Sequence, residues 1–71
     1  MTAPAADRAT VSRWLVLFSR AYNQMTKLTV DEQGVYWLAW RNLSQPCLTL
    51  DDVERALAPG SAWRAMKERA K

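Results

Sequence analysis

The sequence predicts an all-α protein, a small bundle of three main helices plus a short C-terminal one. Three observations carry that expectation. Apolar residues recur at steps of three and four between Val11 and Met25, the spacing of one helix face. Polar helix-start residues stand before Val30, Leu50 and Ala62, while Pro46 and the Pro59-Gly60 pair supply stops. No stretch alternates apolar and polar residues over a useful length.

Residues 1–7 carry Pro4 among small side chains and read as a flexible N-terminal tail. Residues 8–71 read as a single helical domain. Helix one is predicted over residues 8–25, capped by Asp7, with Val11, Trp14, Leu15, Phe18, Tyr22 and Met25 facing inward.

Helix two is predicted from Val30 to Leu43. Thr29 and Glu32 have the spacing of a capping box, in which each side chain satisfies a backbone N–H that the first turn leaves unpaired. Asp31 and Glu32 suit the positive end of the helix dipole. Ser44, Gln45 and Pro46 end the helix, because proline lacks an N–H and restricts the residue before it.

Thr49 is the predicted N-cap of helix three, which runs to Ala58, with Leu48 stapled on Val53 and with Leu50, Val53 and Leu57 inward. Ser61 caps the last helix, where Ala62 or Trp63, Met66 and Ala70 face inward. The predicted core gathers Trp14, Phe18, Tyr22, Val35, Trp40, Leu43, Val53 and Leu57.

As a helix, the second segment is apolar nearly all round. Val35, Tyr36, Ala39, Trp40 and Leu43 line one face, and Val30, Gly34, Trp37, Leu38 and Arg41 line much of the other. Two readings follow. The helix is either buried on both sides as the central element, or its Val30–Gly34–Trp37–Leu38–Arg41 stripe binds another protein. Glycine costs roughly 1 kcal/mol in a helix interior, so Gly34 implies a helix backbone approaching closely. Tryptophan and arginine are over-represented at binding hot spots.

Composition limits the alternatives. The 71 residues are 49% apolar and 24% charged, which matches one ordinary globular domain. Histidine is absent and Cys47 is the one cysteine, so a disulfide, a metal site or a cofactor is not expected. No glycine-rich phosphate loop appears, and the Asp31-Glu32 and Asp51-Asp52 pairs suit first helical turns. Together these point away from an enzyme. The longest strongly apolar run, Trp14–Phe18, is far short of the roughly 20 residues of a membrane span, which makes a cytoplasmic protein the expectation.

The net charge of +3 is unevenly spread, basic at both ends with an acidic middle. Arg64, Lys67, Arg69 and Lys71 near the C-terminus are candidate nucleic-acid contacts, since clustered cations release counterions from phosphates. They also suit the solvated end of a short helix.

The order SRAYNQM, LTVDEQGVYWLAWRNLS, LTLDDVERAL resembles the helical domain of phage proteins that load or inhibit the replicative helicase. Thr29, Glu32, Val35, Trp37 or Trp40, and Leu43 stand at positions comparable with that pattern, across residues 11–58. The third helix departs from it in carrying Asp51, Asp52 and Glu54 where the family's is basic. The family's long C-terminal arm is missing, so the resemblance implies binding or inhibition rather than loading. The expected function is a non-catalytic protein-binding module that captures a larger host or phage machine through the Trp37 stripe. The alternatives are a small helical DNA-binding protein and a self-associating assembly subunit.

Overall fold

The computed structural model describes residues 8–70; the predicted 1–7 tail and Lys71 lie outside them. The order of elements is α1 (Arg8–Asn23), β1 (Lys27–Val30), β2 (Tyr36–Trp40), β3 (Leu43–Cys47), α2 (Leu50–Leu57) and α3 (Ala62–Arg69). The fold is therefore α+β, and the all-α expectation is overturned by a three-stranded antiparallel sheet in the order β1-β2-β3. Helix two does not exist, since its residues form the sheet.

The reason lies in turn chemistry. Asp31 and Gly34 bracket a hairpin loop in which the Gly34 amide donates to the Asp31 carbonyl at 3.1 Å and the Asp31 amide to the Val35 carbonyl at 3.0 Å. Gly34 has φ +81°. This is a type I turn closed by a left-handed glycine, a favoured three-residue hairpin connection. The Asp31 carboxylate, read from sequence as part of a helix start, instead accepts from the Gln33 and Val35 amides at 2.9 Å each. Gly34 incurs no helix-interior cost, because it occupies a position that needs positive φ.

The sheet alternates. Tyr36, Leu38 and Trp40 are buried on its inner face, while Trp37 and Ala39 between them are half-buried on the outer one. Cross-strand partners extend the inner face through Leu28 opposite Leu38 and Cys47 opposite Tyr36. Pro46 falls on an edge strand, where a missing N–H is tolerated.

Three helices complete the core on the inner face. α1 contributes Trp14, Leu17 and Ala21, α2 contributes Leu50, Val53, Ala56 and Leu57, and α3 contributes Trp63. Trp14 stacks on Phe18 with ring centroids 5.1 Å apart. The predicted inward stripe of α1 is thus rotated: Leu15, Tyr22 and Met25 face solvent and the neighbouring stripe is buried. Of the predicted core, Trp14, Trp40, Val53 and Leu57 are buried, Phe18 and Leu43 pack partly against the core, Val35 is half-buried at the end of the hairpin loop, and Tyr22 is exposed.

The two C-terminal helices follow the sequence closely. Thr49 accepts from the Asp52 amide at 3.1 Å and Ser61 from the Arg64 amide at 3.2 Å, so both predicted caps form. The Leu48 staple does not, since Leu48 is exposed. Arg13 ties α1 to α2 through ion pairs with Asp51 and, at 2.7 Å, Glu54.

Candidate functional site

The sheet disperses the predicted Trp37 stripe. Leu38 is fully buried beneath the helices, Val30 packs partly against the core, and Gly34 sits in the hairpin loop. Trp37 lies half-buried on the outer sheet face, its indole N–H donating to Asp31 Oδ2 at 2.9 Å. That bond, followed by the Val35 amide, holds the Asp31 carboxyl below its ordinary value. Arg41 belongs to neither face, being half of the Arg41-Asn42 turn between β2 and β3. The helical geometry that would have joined the five residues is absent.

Two surfaces replace that stripe. The first runs along α1 and β1. Leu15, Val16, Tyr22 and Met25 are between 52% and 80% exposed, a concentration of bare apolar side chains that marks interaction surfaces. Phe18, Tyr22, Met25, Lys27 and Leu28 border a depression of about 700 Å³. Beside it runs the free edge of β1. The Asp31–Val35 bond fixes the parity of the antiparallel ladder, so Thr29 and Lys27 direct their backbone groups to β2, while Leu28 and Val30 direct theirs outward. The other free edge is different. The same parity directs the backbone nitrogen of Pro46 outward on β3, where it offers no donor. On β1 the outward groups of Leu28 are covered, the residue being 1% exposed, and those of Val30 lie at a half-buried position.

The end of α1 builds the corner of this surface. The Thr26 amide donates to the Ala21 carbonyl at 2.8 Å and the Met25 amide to the Tyr22 carbonyl at 2.9 Å, a Schellman motif with Met25 at the left-handed position, φ 57°. Nothing in the sequence flags it, because glycine is the usual occupant.

The second surface joins residues that the sequence kept apart. Met25, Trp40, Arg41, Arg64, Lys67 and Glu68 border a depression of about 600 Å³. Arg41, predicted as a protein contact, here meets Arg64 and Lys67, predicted as nucleic-acid contacts. The Arg41 guanidinium carbon lies 4.5 Å from the Trp40 ring centroid and Lys67 Nζ 5.6 Å from it. Lys67 Nζ donates to the Gln24 carbonyl at 2.6 Å and to Thr26 Oγ1 at 2.8 Å. Arg69 is exposed in the last turn of α3, and Lys71 lies outside the described residues.

Cys47 is buried at the end of β3. Burial, with the charge of Asp52 adding to it, pushes its thiol up, away from the reactive thiolate. No helix is long and apolar enough to cross a membrane among the described residues. No family model, curated protein or solved structure matches the chain.

Proposed function

We propose that the protein is a non-catalytic protein-binding module that acts through the exposed stripe of α1 and the free edge of β1. One observation carries this: the large apolar side chains Leu15, Val16, Tyr22 and Met25 stand bare along α1 and the turn that follows it. An extended partner segment lying beside β1 meets the outward backbone groups of half-buried Val30 and rests its apolar side chains on Phe18, Tyr22 and Met25. Arg20 and Lys27, both exposed, favour acidic residues at the ends of that segment. The partner expected from the sequence, a replicative helicase or another host factor bound by a phage-type inhibitor, would be held by occlusion of the surface it contributes.

The test compares wild type with Tyr22→Glu and with Val30→Pro, which removes an outward N–H without touching the β1–β2 ladder. Both should abolish capture of the partner from lysate while leaving Trp37→Ala capture intact. Retention of the partner by both variants sinks this reading.

A second reading is self-association of two copies through the same bare apolar side chains of α1. Sedimentation over a range of concentrations distinguishes the two, since only this reading gives a dimer of the purified chain.

A further inference from the structure

The sheet has a second face. Tyr36, Leu38 and Trp40 turn inward, so strand alternation turns Val35, Trp37 and Ala39 the other way. The register sets Thr29 on one side of Trp37 and Pro46 on the other, with Lys27 and Ser44 flanking Ala39. The helices contribute their buried residues to the inner face, whereas Ser44 and Pro46 on the outer one are exposed.

Trp37, at the centre of this face, is tied to a carboxylate at its rim. The indole N–H donates to Asp31 Oδ2 at 2.9 Å, and the Gln33 and Val35 amides donate to Oδ1 at 2.9 Å each. These donors are uncharged, so they fix the carboxylate without cancelling its charge. The Trp37 bond first, and then the Val35 amide, hold the Asp31 carboxyl below its ordinary value and keep it ionised. Glu32 stands exposed beside it, and neither acid forms an ion pair among the described residues. An indole that donates to an anion is polarised by it, and the tryptophan face is the best aromatic platform for a cation.

The chain's own cations are engaged elsewhere. Arg41 and Lys67 lie over Trp40, and Lys27 borders the depression on the α1 side of β1. An apolar platform of Trp37 and Pro46 with carboxylates at one end matches a lysine or arginine side chain, whose carbon stem packs on apolar surface while its charged head reaches beyond. An inorganic cation makes no use of the platform, and an anion is repelled by Asp31 and Glu32.

We propose that the outer sheet face binds a basic peptide segment, with the stem of a lysine or arginine lying on Trp37 and Pro46 and its charge beside Asp31 and Glu32. This site is separate from the α1 surface and does not depend on it.

The experiment is an NMR titration of the full chain with hexalysine, with hexaglutamate and choline as parallel probes. The Gln33 and Val35 amides and the Trp37 indole N–H, which all donate to Asp31, report binding. Hexalysine should shift them together and saturably, with an affinity that falls as salt rises. Trp37→Leu, read from the two amides, should weaken binding by about two- to fivefold, the ratio that an exposed cation–π contact supplies. Glu32→Gln, at an exposed loop position, should weaken binding and flatten its salt dependence while leaving the unfolding midpoint unchanged. That combination separates recognition of charge from a structural role. Equal affinity of wild type and both variants overturns the proposal. So does hexaglutamate binding as well as hexalysine, or choline matching it, which marks a site for a free organic cation.

Discussion

Leu38→Ala tests the sheet directly, because the helical and strand readings of the same residue differ in sign of exposure. On a helix that leaves the Trp37 stripe bare, Leu38 faces away from the core, and truncating it would cost little. In the structure it is 0% exposed at the middle of the central strand, flanked by Leu28 and Gln45 across the ladder. A buried Leu→Ala change removes the transfer free energy of the lost carbons and leaves a cavity, together about 2–5 kcal/mol. Strands on both sides limit collapse of the site, which places the loss at about 3 kcal/mol or above. At 0.05–0.15 kcal/mol per residue, a chain of this length has about 4–11 kcal/mol in total. The variant therefore loses a large share of its stability, and its midpoint should fall by about 12 °C or more at about 4–8 °C per kcal/mol. Urea unfolding followed by tryptophan fluorescence measures this, with an unchanged slope showing that the native state is still compact. A loss below about 1 kcal/mol would refute the placement of Leu38 and, with it, the register of the sheet.

Two further outcomes follow from local geometry. Met25→Gly should raise stability by about 0.5–1 kcal/mol in the same urea assay, since Met25 is 80% exposed and its φ of 57° suits glycine. Asp31 titrates below its ordinary value in the folded chain. Its contribution is therefore fully present above the unfolded carboxyl pKa and is lost as pH falls through the lowered folded one. The stability difference between wild type and Asp31→Asn should be greatest near neutrality and shrink in acid below about pH 4; a constant difference across that range would show that the Trp37 and amide bonds do not favour the carboxylate.

What the sequence made readable was what local chemistry decides. Thr49 and Ser61 each precede a run whose third residue supplies the N–H that they cap, and both helices begin where those caps dictate. The hairpin was misread because the same residues satisfy two grammars. Thr29 and Glu32 fit a capping box, yet Asp31-Glu32-Gln33-Gly34 also spells a type I turn with a left-handed glycine, and the second wins since it places Tyr36, Leu38 and Trp40 on one face. As a helix, those three residues scatter around the axis, which is why the segment looked apolar all round. A short run that is apolar at every position reads equally as a strand or as a buried helix by periodicity alone. On α1, two apolar stripes compete one residue apart, and spacing cannot choose between them; the choice belongs to the sheet, against which Trp14, Leu17 and Ala21 pack.

The candidate surfaces were less readable for a stronger reason: each is created by chain reversal. Arg41 is separated from Arg64 and Lys67 by more than twenty positions in sequence, and only the turn after β2 and the return of α3 bring them to one depression. The free edge of β1 is likewise a property of the ladder and not of LTV as a string. Met25 shows how closely the two surfaces are tied, because it borders both depressions. The Schellman motif that turns Met25 outward beside Tyr22 also sets the end of α1, where the Gln24 carbonyl and Thr26 hydroxyl hold Lys67. One local backbone device thus fixes the corner of an apolar docking surface and the position of a cation in the neighbouring cleft. A disturbance of that corner must reach both, whichever side it starts from.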